Sequence, residues 1–194
     1  MKISNFKPIN FQKKLVANCQ IGASGNNVPT KIYLLDKRDD FGVLDKAKDK
    51  EIWQNGYYIS NVSNNFCVDL KHANHYVMET DDGDVICMCK AKEKGKKVNL
   101  EYIETAPKMS SYNHTRKLKY IGETMLAFLV KEAKENKKIV DVPTVAMRPK
   151  TLDFYFNQCG FKKDGKLSAT MPREEANTFI KKNEKHTGSS IEIL

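Results

Sequence analysis

The stretch RKLKYIGETMLAFLVKEAKENKK, Arg116 to Lys138, decides how the chain reads. From Tyr120 onward, Ile121, Met125, Phe128, Leu129 and Ala133 recur at spacings of three and four, the mark of one buried helical face. Gly122 is at odds with that pattern, because glycine in a helix interior costs roughly 1 kcal/mol against alanine. Its position resolves the conflict. Gly122 follows a strand-like YIETAP and a polar loop and lies where the helix begins, among the unpaired amide donors of a helix N-terminus. An anion suits that place: the missing side chain admits a ligand to the backbone, the dipole favours a phosphate, and Arg116, Lys117 and Lys119 add charge. A helix-initiating glycine flanked by solvated lysines satisfies the same residues.

Upstream, KIYLLDK alternates like a strand and RDDFGVLDKAKDKEIW carries apolar residues at helical spacing. HANHYVMETDDGDVICMCKAKEKGKKVNLEYIETAP contains two turns, DDGD and KEKGKK, which separate three strand-like runs and predict an antiparallel meander. After the central helix, KIVDVPTVAM reads as a strand, PKTLDFYFNQC as a short helix ended by Gly160, and GFKKDGKLSATM as a hairpin. A last helix begins at Pro172, with Glu174 and Glu175 in its first turn. Residues 1–29, ending in GASGNNVP, read as an N-terminal extension that packs onto the domain edge or stays partly mobile, and residues 30–194 as one domain with a C-terminal helix and tail. The order predicts an α/β (α+β) fold, a mixed and mainly antiparallel sheet flanked by helices.

Composition limits the function. The chain has 194 residues, 40% of them hydrophobic, enough for one domain with a real core. It lacks an 18-residue apolar run and a signal-like N-terminus, so membrane insertion is not expected and the cytoplasm is. Five cysteines, an odd number without an export signal, read as reduced thiols. The formal charge of +9 comes almost wholly from lysine, since the arginines are Arg38, Arg116, Arg148 and Arg173. Such a surface attracts nucleic acid or phosphorylated small molecules without being built for bidentate forks.

The order of strand, basic loop with glycine, amphipathic helix, strand, short aromatic helix and CGF resembles the GNAT superfamily of acyl-CoA N-acyltransferases. The family's pyrophosphate loop, [R/Q]-x-x-G-x-[G/A], would read Lys119-Tyr120-Ile121-Gly122-Glu123-Thr124, keeping the central glycine. Its later signature is met by LDFYFNQCGF, Leu152 to Phe161. The resemblance covers about residues 31–171. It implies a GNAT-like sheet and acetyl-CoA as co-substrate, with the strands before and after the helix splayed around the pantetheine arm and the amides of residues 120–124 on the pyrophosphate. On that basis Ile103, Thr105, Arg116, Lys117, Lys119, Tyr120, Ile121, Gly122, Glu123, Thr124 and Phe156 would bind the cofactor. Transfer would be direct, the acceptor amine attacking the thioester inside a ternary complex, where juxtaposition supplies much of the rate.

The family's frequent general-acid tyrosine lies four residues before the glycine of G-F, a position held here by Phe156, with Tyr155 one place earlier. One residue is about a 100° turn of an α-helix, so Tyr155 does not simply replace it. A leaving thiol departs tolerably as thiolate, so transfer need not depend on an acid, and Tyr155 and Cys159 remain the candidate donors. For a base, the resemblance points to Glu101 and Glu104, in the strand that the family uses to abut the acyl group. Their offset of three puts them on opposite faces, so only one faces the cleft. Glu101 is preferred, an assignment that a bulge in the strand would reverse.

His72, His75, Cys87 and Cys89 offer zinc-ligand chemistry, but alternating Cys87 and Cys89 point more simply into a core, and no metal is expected. Asp81 to Asp84 suits a hairpin turn, and Lys131 to Lys138 a solvated helix face. His114 and Arg116 lie in a long polar loop that either folds over the cofactor or is a surface insertion. The expected function is an N-acetyltransferase, monomeric or dimeric, acting on an amine of open identity, with a charged tRNA among the candidate acceptors. A catalytically silent CoA-binding protein and a lysine-rich nucleic-acid-binding domain are the alternatives.

Overall fold

A computed structural model describes residues 13–23, 27–35, 42–53, 73–109, 118–144 and 147–194. Strands β1 (Lys14–Ala23) and β2 (Asn27–Leu35) come first, followed by helix α1 (Gly42–Lys48) and a 3-10 turn at Glu51–Trp53. The meander is β3 (Asn74–Thr80), β4 (Val85–Lys94) and β5 (Lys97–Thr105), with Gly83 and Gly95 at positive φ in its two turns. A short β6 (Leu118–Lys119) leads into α2 (Ile121–Glu135) and β7 (Ile139–Pro143). Then come α3 (Pro149–Asp153), a π-helical turn (Phe154–Gln158), the hairpin β8 (Lys162–Asp164) and β9 (Ser168–Thr170), α4 (Arg173–Thr187) and β10 (Glu192–Ile193).

The strands form one sheet in the order β10-β1-β2-β3-β4-β5-β7-β9-β8, with β6 also on β1. All ladders are antiparallel except β5 to β7. One face buries Ile21, Ile32, Cys87, Cys89, Val98 and Leu100 under Met125, Phe128 and Leu129 of α2 and Phe179 of α4. The other carries a smaller core in which Leu44 of α1 and Trp53 meet Val77 and Met88. Trp53 satisfies its buried indole by donating to the Val85 carbonyl at 2.7 Å.

The mixed, mainly antiparallel sheet and its helices agree with the expectation from sequence. The N-terminal region differs from the expected edge extension. Lys14–Ala23 is a full strand between β2 and β10, and Ala17, Cys19 and Ile21 bring it into the main core. The chain's last residues complete its other side, with Ile193 opposite Ala17 and the Leu194 amide donating to the Val16 carbonyl at 3.0 Å.

Candidate active site

Two strands part at the centre of the sheet. β5 and β7 pair in parallel at Lys97–Ile139, Val98–Val140 and Asn99–Asp141. That ladder ends there, although β7 continues to Pro143 against β9 and β5 to Thr105 against β4, so the sheet opens between them. Where the opening starts, β5 is bulged. Leu100 lies opposite Ala91 and Tyr102 opposite Lys90, leaving Glu101 as the extra residue.

The bulge resets which side chains face which way. Leu100 and then Ile103 belong to the α2 face, while Tyr102 packs on the opposite core and Glu104 lies across from Met88 of that core. Glu101 is exposed, its carboxylate 3.0 Å from Lys90 Nζ. Glu104 is half-buried and accepts a hydrogen bond from the Tyr102 hydroxyl. The two carboxylates therefore differ in partner as well as in direction.

Thr105, at the end of β5, connects this strand to the mouth of α2. Its hydroxyl lies only 3.3 Å from where a Cβ on Gly122 would be. Gly122 is the second residue of α2, at the helix mouth as its sequence position suggests. Tyr120 caps the helix in the left-handed region, at φ 62°, and the first intrahelical bond runs from the Thr124 amide to the Tyr120 carbonyl at 2.8 Å. The amides of Ile121, Gly122 and Glu123 consequently have no intrahelical acceptor. This cradle suits a phosphate: three donors, the positive end of a 15-residue dipole and no side chain at its second position.

Several expected cofactor residues lie differently. Thr124 was expected among the phosphate amides, but its N–H closes the first turn, and its fully buried hydroxyl accepts from Asn183 Nδ2 of α4 at 3.1 Å. The Ile121 side chain is core, so only its amide reaches the mouth. Lys119 is exposed on β6, across from Gly22. Arg116 and Lys117, with His114 and His72, lie outside the described residues.

Two residues at this mouth, His186 and Gly22, lie outside the sequence motif. The Tyr120 ring stacks on His186 of α4, with centroids 4.6 Å apart and planes 22° apart. His186 Nδ1 lies 3.0 Å from Glu123 Oε1, so Glu123 faces a histidine rather than open solvent. Gly22 of β1 makes room for the Tyr120 ring, since a Cβ there would lie 2.9 Å from Tyr120 Cδ2. His186 was legible only as a basic residue in a last helical turn.

The aromatic segment follows a π-turn where the sequence suggested a continuous α-helix. The Cys159 amide donates to the Phe154 carbonyl at 3.0 Å, five residues back, and Phe161 bonds Tyr155, also at 3.0 Å. A π-turn takes up one residue more than an α-turn. That is the one-residue offset separating Tyr155 from the position of Phe156 in the motif. Tyr155 is consequently the buried member, 4% exposed and edge-on to Phe154 and Phe161, while Phe156 is half-buried against the same core. Burial, with the neighbouring thiols of Cys159, Cys89 and Cys87, holds the Tyr155 phenol far above its usual range, and so protonated.

A cleft of about 720 Å³ lies elsewhere, over β1, β2, the C-terminal half of α2 and residues 189–193. It is polar and holds neither Gly122 nor Glu104. The described residues contain no group of three or more metal-ligating side chains, and Cys87 and Cys89 are core residues. No described helix is long and apolar enough to cross a membrane.

No protein-family model matches the chain. None of the curated proteins matches it either. Solved structures do. A chimera of the spermidine N-acetyltransferase SpeG from Vibrio cholerae and hSSAT superposes with a TM-score of 0.53 at 11% identity, over 76% of this chain and 98% of that one. The ribosomal-protein-S18-alanine N-acetyltransferase from Escherichia coli superposes with a TM-score of 0.50 at 14% identity, over 73% and 90%. The opened sheet, the glycine at the helix mouth and these superpositions agree: the chain has the fold of the GNAT N-acetyltransferases.

Proposed function

We propose that the protein is an N-acetyltransferase that takes its acyl group from acetyl-CoA and passes it to an amine by direct attack. The observation that carries this reading is the parting of β5 and β7 beside the open amides of α2, on a fold shared with N-acetyltransferases. Bound acetyl-CoA would supply the activated thioester. The amides of Ile121, Gly122 and Glu123 would hold its pyrophosphate, with Thr105, Ile103 and Lys119 alongside.

Glu104 is the better base, because Glu101 is engaged with Lys90 and stands out at the bulge. In this role Glu104 takes a proton from the acceptor ammonium, directly or through water, leaving the nitrogen lone pair to attack the acyl carbon. As the C–S bond breaks, Tyr155 gives its phenolic proton to the departing sulfur. Burial keeps that phenol protonated, the form a donor needs. General acid–base help of this kind is worth about 10²- to 10⁴-fold. The acceptor's class is a separate matter, and polyamines, protein amines and aminoacyl-tRNA all suit the chemistry.

The test is a thermal-shift titration with acetyl-CoA followed by release of free CoA thiol across an amine panel. A ligand at a hundredfold its Kd stabilises the native state by about 2.7 kcal/mol, which raises Tm by several degrees. Gly122→Asp, placing a carboxylate in the cradle, is expected to abolish the shift and leave the circular dichroism spectrum intact. Absence of any shift in the wild-type protein would overturn the reading.

A further inference from the structure

We infer that Tyr102 is the positioning residue of this site, its hydroxyl holding the Glu104 carboxylate ionised and in one orientation. The inference rests on the reading of Glu104 as base. After the bulge, Tyr102 and Glu104 are two residues apart on the same face of β5, and the phenol donates to Glu104 Oε2. Glu104 needs such a donor. It lies opposite Met88, a fully buried residue of the second core, and an apolar floor disfavours the charged form. A hydrogen bond donated to a carboxylate favours that form instead.

The bulge also sorts the charges around the pair. Lys90, across from Tyr102 on β4, pairs with the other carboxylate, 3.0 Å from Glu101. His75 of β3 is opposite Lys90 on the same row, Lys108 after β5 pairs with Glu51, and the Cys87 thiol feels the Glu104 charge from the next row. Glu101 thus acts as counter-charge to Lys90, and the Tyr102 hydroxyl donates to Glu104.

The experiment reads Glu104 directly and needs no acceptor. Protein labelled with ¹³C at glutamate Cδ is titrated by NMR, with Glu104→Gln assigning the resonance. In Tyr102→Phe the Glu104 midpoint is expected to rise by about one pH unit, equivalent to a tenfold loss of ionised base below it. An amide correlation spectrum of that variant checks its fold. As a second measurement, 3-fluorotyrosine, a stronger donor, is expected to lower the midpoint in the wild-type sequence but not in Tyr102→Phe. An unchanged midpoint in Tyr102→Phe would overturn the inference. Failure of the base assignment is separate: Glu104→Gln would then transfer acetyl groups as fast as the wild-type protein, whatever the titration gave.

Discussion

Glu123 and His186, 63 residues apart in sequence, meet at 3.0 Å where the first turn of α2 lies against the last turn of α4. The pairing places an acidic side chain beside the proposed phosphate cradle without leaving it alone there. His186→Ala removes both this partner and the ring stacked on Tyr120. It is expected to cost about 1 kcal/mol and lower Tm by a few degrees, read by thermal denaturation. It is also expected to weaken acetyl-CoA binding, because an unaccompanied Glu123 would then face the pyrophosphate.

Gly22 tests the same corner from the opposite side. In Gly22→Ala the added Cβ would come within 2.9 Å of the Tyr120 ring, which cannot retreat without disturbing its stack on His186. The expected loss is about 1–3 kcal/mol, measured as a lower urea midpoint with unchanged m-value. Gly122→Ala meets only the Thr105 hydroxyl at 3.3 Å and is expected to be far milder.

Tyr155→Phe probes the acid. The variant keeps the edge-on packing against Phe154 and Phe161, so the fold is expected to survive. If the phenol protonates the leaving sulfur, kcat falls by about 10²-fold with little change in the KM for acetyl-CoA. Steady-state kinetics with an accepted amine would show the split.

Glu132 gives a pH prediction. Burial raises its carboxyl pKa, partly opposed by the hydrogen bond donated by the Tyr76 hydroxyl at 3.0 Å. A carboxyl whose folded pKa lies above its unfolded one stabilises the fold at low pH, and that contribution is lost as pH rises through the folded value. Glu132→Gln keeps an acceptor for Tyr76 without the buried charge. It is expected to match or exceed wild-type stability at pH 7, with the difference vanishing in acid, as read from urea midpoints across pH.

Cys19 is expected to resist alkylation. Its thiol is buried, hydrogen-bonded with the Thr30 hydroxyl at 3.1 Å and pushed up by burial to about 11, which leaves little thiolate at pH 8. Iodoacetamide labelling followed by mass spectrometry should find Cys19 modified only after denaturation.

Much of this architecture was legible because local pattern and burial coincide. Ile121, Met125, Phe128 and Leu129 repeat at helical spacing and are the residues that α2 buries, and Gly83 and Gly95 occupy the turns that DDGD and KEKGKK announce. β1 was missed although Ala17, Cys19 and Ile21 alternate, because a polar GASGNNVP outweighed that short run. The two-residue β6 and β10 exist only through pairing with β1 and have no pattern of their own. The site was harder. A bulge at Glu101 and a π-turn at Phe154–Gln158 each insert one residue without altering composition, yet each decides which of two candidates faces inward. His186 reaches the site only by tertiary packing of two helices.

The seam between β1 and β10 has a kinetic meaning. Ala17 pairs with Ile193, and the Val16 carbonyl accepts from the Leu194 amide, so β1 obtains part of its hydrogen bonding from a segment far later in the sequence. Contacts so distant along the chain form late, since the intervening loop must be closed before they repay its entropy. During synthesis this edge of β1 therefore stays open until β10 has emerged, which makes it a place where a nascent chain would readily pair with a chaperone or with another copy of itself.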